Sequence, residues 1–238
     1  MTMSFAEAMA QLEQKGNEGT RNTYLRHGAR EPLFGVRFGD LRPLARTIGT
    51  DHDLAVRLWA SANADARLLA CMVAAPAQVS DLDLDAWLAD IETYFLVDVF
   101  VAELAAQVEG RQDRAERWVA SDRDRTAQAG WDLLSYVAMH DDDVPDAYFE
   151  DKLDLVEQRI QGYGNWTRRS ASNVITTIGL RNDQLEAAAR KTALGMGEVE
   201  FDPGQTSCLM PDPIEYLERT KAYRSRQASK RAARTSSC

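Results

Sequence analysis

Cysteine and histidine are scarce, at three residues each in 238. Cys71, Cys208 and Cys238 have no CxxC spacing and no close pairing, which argues against a disulfide framework or a thiolate metal site. Cys71, inside LLACMVAA, reads as a buried reduced thiol. His27, His52 and His140 are far apart and form no HxxxH, so no metal and no other cofactor is expected. The acidic run HDDDVPD (140–146) lacks the glycine and the spacing of an EF-hand loop and reads as a solvated turn. No P-loop, GxSxG or kinase signature occurs, and GYGN (162–165) reads as a helix stop. No apolar run approaches the ~18–20 residues that span a bilayer. The N-terminal MTMSFAEAMAQLEQKG is amphipathic and acidic, unlike a secretory signal. These absences fit a cytoplasmic protein with no membrane partner.

Strand alternation and βαβ units are also missing, and apolar positions recur instead at helical spacing. Ser4 followed by Glu7 makes a capping box. Ser80, Asp124 and Asn165 read as N-caps, and Gly16, Gly28, Gly49, Gly162 and Gly179 as stops. The pattern predicts helices at about 18–27, 39–48, 51–60, 64–75, 82–91, 92–107, 111–120, 124–139, 145–160, 165–178 and 182–194, then one extended piece, GEVEFDPG (197–204), and a last helix from about 211 into the basic tail. From residue 51 the helices come in short-loop pairs, whose second members begin near 64, 92, 124 and 165. That interval is in the range of HEAT-type repeats, which bury their apolar faces by stacking. The expected fold is all-α: an α-solenoid of HEAT-like repeats over 1–218 with a concave groove, a non-repetitive helical bundle being the alternative. Trp59, Trp87 and Trp118, on first helices, read as core.

Charge is divided unevenly. Residues 219–238 carry seven Lys/Arg and no acid, a basic tail expected to be partly helical or disordered. The remainder has 21 basic against 37 acidic residues, a body near −16 that repels phosphate on average. A nucleic-acid site would have to be a local basic stripe or the tail itself.

Within IETYFLVDVFVAELA (91–105), Asp98 interrupts a run of large apolar side chains. An ionised carboxylate is very unfavourable in a dry core without a partner, so Asp98 is either paired there or faces a groove.

FGVRFGDLRPLAR (34–46), DHDLAVRLWASANADARLLACMVA (51–74), YFLVD (94–98), ERWVASDRDRTAQAGWDLL (116–134) and NWTRRSASNVITTIGLRN (165–182) together resemble AlkD-like DNA alkylation repair proteins, the HEAT-like repeat DNA glycosylases and their relatives. The resemblance covers roughly residues 5–220, and 198–220 resembles an extension found in one branch of the family. It implies double-stranded DNA, alkylated or structurally distorted, held in the concave groove by a monomer. The implied activity is hydrolysis of the N-glycosidic bond of cationic alkylated purines. Asp98 then matches the catalytic aspartate, which would stabilise the oxocarbenium-like sugar. Tyr94 stands where the glycosylases place tryptophan, and Phe95 at an often acidic position. Gln128 replaces a groove arginine and Asn173 a second tryptophan. Trp131 and Trp166 lie near these positions at other helical phases. Arg42 matches a phosphate-contacting residue, with Arg37, Arg168 and Arg169 as further backbone candidates. The losses at 128 and 173 leave two alternatives open: a non-catalytic binder of branched or distorted nucleic acid, and a protein-interaction scaffold.

Overall fold

The computed structural model describes residues 3–207 and 209–235. Cys208, Cys238 and the end of the basic tail beyond 235 lie outside the described residues. The described residues fold into thirteen α-helices and three short 3-10 turns, with no strand among them. None of their helices is long and apolar enough to cross a membrane.

Two compact units divide the chain, residues 1–133 with 202–208, and residues 134–201 with 209–238. The first holds α1 (Phe5–Lys15), α2 (Glu18–Arg26), α3 (Phe38–Ile48), α4 (His52–Ala60), α5 (Ala64–Val73), α6 (Asp81–Ala89), α7 (Tyr94–Glu103), α8 (Arg111–Val119) and the first part of α9 (Asp124–His140). The second holds the remainder of α9 with α10 (Asp146–Arg159), α11 (Asn165–Gly179), α12 (Asp183–Gly195) and α13 (Pro213–Thr235).

Side-chain caps mark many of the helix starts. Ser4/Glu7 and Ser80/Asp83 form complete capping boxes, and Asn17, Asp51, Asn63 and Asn182 cap α2, α4, α5 and α12 through their side chains. Asp124 and Asn165, expected as N-caps, are instead the first helical residues of α9 and α11. The expected helix 92–107 is interrupted: α7 ends at Glu103, Leu104 takes φ −126° and ψ −64°, and a 3-10 turn follows at Ala105–Gln107. Arg114 on α8 explains the break. Its buried guanidinium donates to the carbonyls of Ala105 (2.9 Å), Val108 (3.3 Å) and Glu109 (2.7 Å), and it pairs with Asp81 at 2.7 Å. Residues 197–203 have no helix or strand.

In the first unit the tryptophans of successive first helices form a column. Trp59 and Trp87 stack at 4.2 Å and 10°, and Phe100 of α7 lies against Trp59 (6.3 Å) and Trp118 (6.1 Å). The indole N–H of Trp59 donates to Asp90 (3.1 Å) and that of Trp118 to Asp85 (2.7 Å), so neither polar end is stranded. Each aromatic pair adds about 0.5–1.5 kcal/mol beyond its burial.

In the second unit α13 seats its first turns on α11 and α12. Leu217 is 2% exposed, and Thr176 donates its hydroxyl hydrogen to the Pro213 carbonyl at 3.1 Å. Glu186 receives both Lys221 and Arg190, and Arg190 also reaches Glu218 at 2.6 Å. Gly179 ends α11, but close packing is what fixes the residue type. A Cβ there would lie 2.5 Å from Leu217 Cδ1 and 2.9 Å from Ala189 Cβ.

Candidate functional site

The question raised by Asp98 is answered by helical phase. Leu96, Val97, Phe100 and Val101 are buried and form the core stripe of α7, while Tyr94, Phe95, Asp98 and Val99 are half-buried on its other side. Tyr94 and Asp98, four residues apart, share one face.

Gln128 of α9 meets that face and is fully buried. Its amide nitrogen donates to Asp98 Oδ1 and to the Tyr94 carbonyl, both at 3.1 Å. Its Oε1 accepts from Arg125 at 3.1 Å, one turn earlier on α9. Arg125 Nε in turn donates to the Glu92 carbonyl at 3.1 Å, tying the segment before α7 to α9. Burial pulls the half-buried Arg125 guanidinium below its ordinary pKa, against the opposing pull of the Asp124 and Asp98 carboxylates. Asp98 is therefore held by a neutral amide whose own acceptor is occupied by a cation.

Tyr94 is fixed from the other side. Its hydroxyl lies 2.5 Å from His27 Nδ1, just past the end of α2. Burial lowers the His27 pKa, with the Arg26 cation beside it adding to the effect. A neutral His27 can accept the phenolic hydrogen at Nδ1 in one tautomer and donate to the phenol oxygen in the other. Phe95 stacks on Tyr24 at 4.9 Å and 27°. Tyr24 is buried, and its hydroxyl donates to the Val36 carbonyl at 2.8 Å; burial and the Asp65 carboxylate push its pKa up.

The segment that ends in Arg37 is clamped by Asp65. This fully buried carboxylate accepts backbone N–H bonds from Phe34 (2.6 Å), Gly35 (3.0 Å) and Val36 (2.7 Å). Burial raises its pKa, and those same N–H groups hold it down in part. Gly35 has φ +79°, and a Cβ there would meet Arg21 N at 2.4 Å, so only glycine fits. Arg37 is exposed at the N-cap of α3, and Arg42 reaches Glu103 at 3.6 Å in an open cleft that also holds Arg46 and Thr50.

The structure thus brings Tyr94, Asp98 and Gln128 together, turns Phe95 onto Tyr24, and leaves Arg37 and Arg42 at the surface. In the second unit, Arg168 donates to the carbonyls of Gln161 (2.8 Å) and Glu200 (3.2 Å), Arg169 lies 5.9 Å from the Trp166 ring, and Asn173 is half-buried. Sequence reasoning missed Arg125, His27 and Asp65 as members of this region. For Arg125 a signal existed: it stands three residues before Gln128, on the same helical face. Among the described residues no group of three or more His, Cys, Asp or Glu is placed to hold a metal ion.

Residues 8–194 match the model of the family described as DNA alkylation repair enzyme. This chain belongs to that family. A solved structure described as "A new family of proteins related to the HEAT-like repeat DNA glycosylases with affinity for branched DNA structures" superimposes with a TM-score of 0.85 and 28% identity, over 93% of this chain and 95% of that one. The fold is accordingly of the HEAT-like repeat type. Two uncharacterized Listeria proteins are also similar over nearly their whole length. Lin0241 of Listeria innocua serovar 6a is 29% identical over 224 residues, 92% of this chain and 98% of its own. Lmo0209 of Listeria monocytogenes serovar 1/2a is 28% identical over the same coverage.

Proposed function

We propose that this DNA alkylation repair family member binds DNA of branched or distorted geometry without cutting it. Arg37 and Arg42 would serve as phosphate contacts and the Tyr94–Asp98–Gln128 cluster as a fixed surface feature. The observation that carries the choice of binding over catalysis is Gln128. The resemblance would put a cationic arginine at this position, and here a buried neutral amide spends both N–H groups on Asp98 and on backbone. The likeness to a protein with affinity for branched DNA supports the choice of ligand. The test is fluorescence anisotropy with a four-way junction and a linear duplex of the same sequence, each titrated with salt. Tighter binding to the junction, with affinity falling steeply as counterions compete, is the expected result. Equal affinity for the two, or a flat salt profile, refutes it.

A second reading has one observation in its favour: Asp98 remains half-buried rather than sealed, one turn from the aromatic face of Tyr94. On that reading the carboxylate stabilises the sugar cation as a glycosidic bond to an alkylated purine breaks. Release of free base from methylated DNA, lost in Asp98→Asn and undiminished in Arg42→Gln after correction for binding, would replace the first reading with this one.

A further inference from the structure

The last acidic side chain in the sequence is Glu218. Up to Lys221, α13 is a docked helix, with Leu217 buried and Glu218 and Lys221 engaged with Arg190 and Glu186. Beyond it, residues 222–227 are all exposed, while the helix runs on to Thr235. Fourteen residues at about 1.5 Å each carry it roughly 21 Å past Lys221, with Arg224 still bordering a cleft beside Leu180, Arg181 and Asn182. The docked turns supply the nucleus, and Ala, Arg, Lys and Gln favour the continuation.

Five cations fall in this segment, Arg224, Arg226, Lys230, Arg231 and Arg234, with no carboxylate at any i±3 or i±4 position after residue 221. Elsewhere in the chain several arginines give most of their N–H groups to carbonyls: Arg114 to Ala105, Val108 and Glu109, Arg181 to Ala138 and Asp141, Arg168 to Gln161 and Glu200; in the arm Arg226 gives only its Nε–H, to Ala222 at 3.2 Å. At about 100° per residue, positions 224, 226, 230, 231 and 234 occupy one arc of roughly 160°. Tyr223, 57% exposed, lies inside that arc, its hydroxyl accepting from Gln227 at 3.0 Å. Positions 222, 225, 229, 232 and 233 fill much of the rest with alanine and serine only.

That second face decides between partners. A helix that lies on a membrane needs bulky apolar residues opposite its cations, and none is there. A helix that docks in a protein groove needs apolar anchors at i, i+3, i+4 and i+7, and these are also missing. A one-sided cationic helix with an exposed aromatic ring among the charges fits a regularly charged polyanion whose bases offer stacking faces.

We propose that residues 222–235 form an arm that contacts the phosphate backbone of nucleic acid and supplies sequence-independent affinity. The proposal rests on the reading of this chain as a DNA binder and names the element that provides most of its salt-dependent attraction.

The test uses the full chain with a labelled 20-base-pair duplex and a four-way junction. It compares wild type with the combined variant Arg224→Gln, Arg226→Gln, Lys230→Gln, Arg231→Gln and Arg234→Gln, and with Arg42→Gln alone. The five substitutions leave Leu217, Glu218 and Lys221 in place, and circular dichroism checks the helix. Each neutralised phosphate contributes about 0.9 to the slope of log K against log salt. The combined variant should lose at least about tenfold in affinity at roughly 0.1 M salt, and about 3–4.5 from the slope, on both DNAs. Arg42→Gln should lose about 1 or less from the slope. An unchanged slope in the combined variant, with wild type binding steeply, overturns the arm and leaves the DNA reading standing. No DNA binding by wild type at low salt overturns both. Binding to phosphatidylserine vesicles or polyglutamate that needs the five cations, with DNA affinity indifferent to them, also overturns the arm.

Discussion

Replacing Gln128 by glutamate perturbs the Asp98 cluster without opening a cavity, because the two side chains have nearly the same shape. The amide donor 3.1 Å from Asp98 Oδ1 and 3.1 Å from the Tyr94 carbonyl becomes an acceptor facing two acceptors. Two like charges about 3 Å apart at an effective dielectric near 20 repel by about 5 kcal/mol. Arg125, on the other oxygen, offsets part of this. A net loss of about 3 kcal/mol at pH 8 is expected, which lowers Tm by roughly 6–12 °C for a chain of this size.

Protonation restores the donor, so the loss depends on pH with a defined sign. A carboxyl whose pKa is raised on folding costs nothing below its unfolded value near 4.3; the cost grows as pH rises toward the folded value and then stays constant. At about 1.36 kcal/mol per unit, a 3 kcal/mol loss corresponds to a shift of about two units. At pH 5.5, still above the isoelectric point near 4.9, only about half the loss should remain. Urea unfolding of wild type, Gln128→Glu and Gln128→Ala at the two pH values measures this, the alanine variant serving as the control without a titrating group. A Gln128→Glu loss that is equal at both pH values, or absent at both, refutes the geometry assigned to Gln128.

Three other perturbations follow from the packing. Gly179→Ala should cost about 1–3 kcal/mol through overpacking against Leu217 and Ala189, and should speed tryptic cleavage within α13, read by mass spectrometry. Arg114→Ala should cost about 2–3 kcal/mol in urea unfolding: Asp81 is exposed enough to rehydrate, while the carbonyls of Ala105 and Val108 lose their donor. Arg114→Lys should not restore it, because a single ammonium cannot match the fork that serves four acceptors. His27 should titrate below the ordinary histidine value by NMR, so its contribution to stability is present above the unfolded value and is lost as pH falls from there through the lower folded value. A His27 pKa at or above that value would contradict the burial of its ring against Tyr94.

What the sequence made legible was local or periodic. Ser4 with Glu7 depends only on spacing, so the capping box can be read from residues alone; the phase of α7 cannot, because apolar side chains flank Asp98 on every face and leave it either paired or facing a groove. What it hid was set by partners distant in sequence. Asp65 looks like an ordinary first-turn acid of a helix, yet its three donors are about thirty residues earlier. Gly179 has the look of a stop, but Leu217, 38 residues later, dictates its size. Backbone carbonyls have no side-chain signature, so the commitments of Arg114, Arg168 and Arg181 could not be seen, and each had the same standing in the sequence as exposed Arg37.

Arginines committed to carbonyls limit how an acidic chain of a DNA repair family can hold DNA. A guanidinium bonded to helix-end carbonyls keeps its charge but has its N–H groups turned away from any ligand, so charge counting overstates the phosphate contacts available. Arg37 and Arg42 are exposed in the first unit and Arg42 already has Glu103 within 3.6 Å, so these two can fix register more readily than they can supply bulk affinity. The segment after Lys221 differs: its cations have no acid three or four residues away, and its one aromatic side chain is Tyr223. Non-specific affinity and selectivity for DNA shape would then belong to different residues. An arm that holds any phosphate backbone gains nothing from a branch point, so on the proposed reading discrimination of branched from linear DNA would come from the surface built by Tyr94, Asp98 and Gln128 and the arginines beside it. The rigidity of that cluster, in which one buried amide satisfies a carboxylate, a carbonyl and a guanidinium at once, is what discrimination by shape requires.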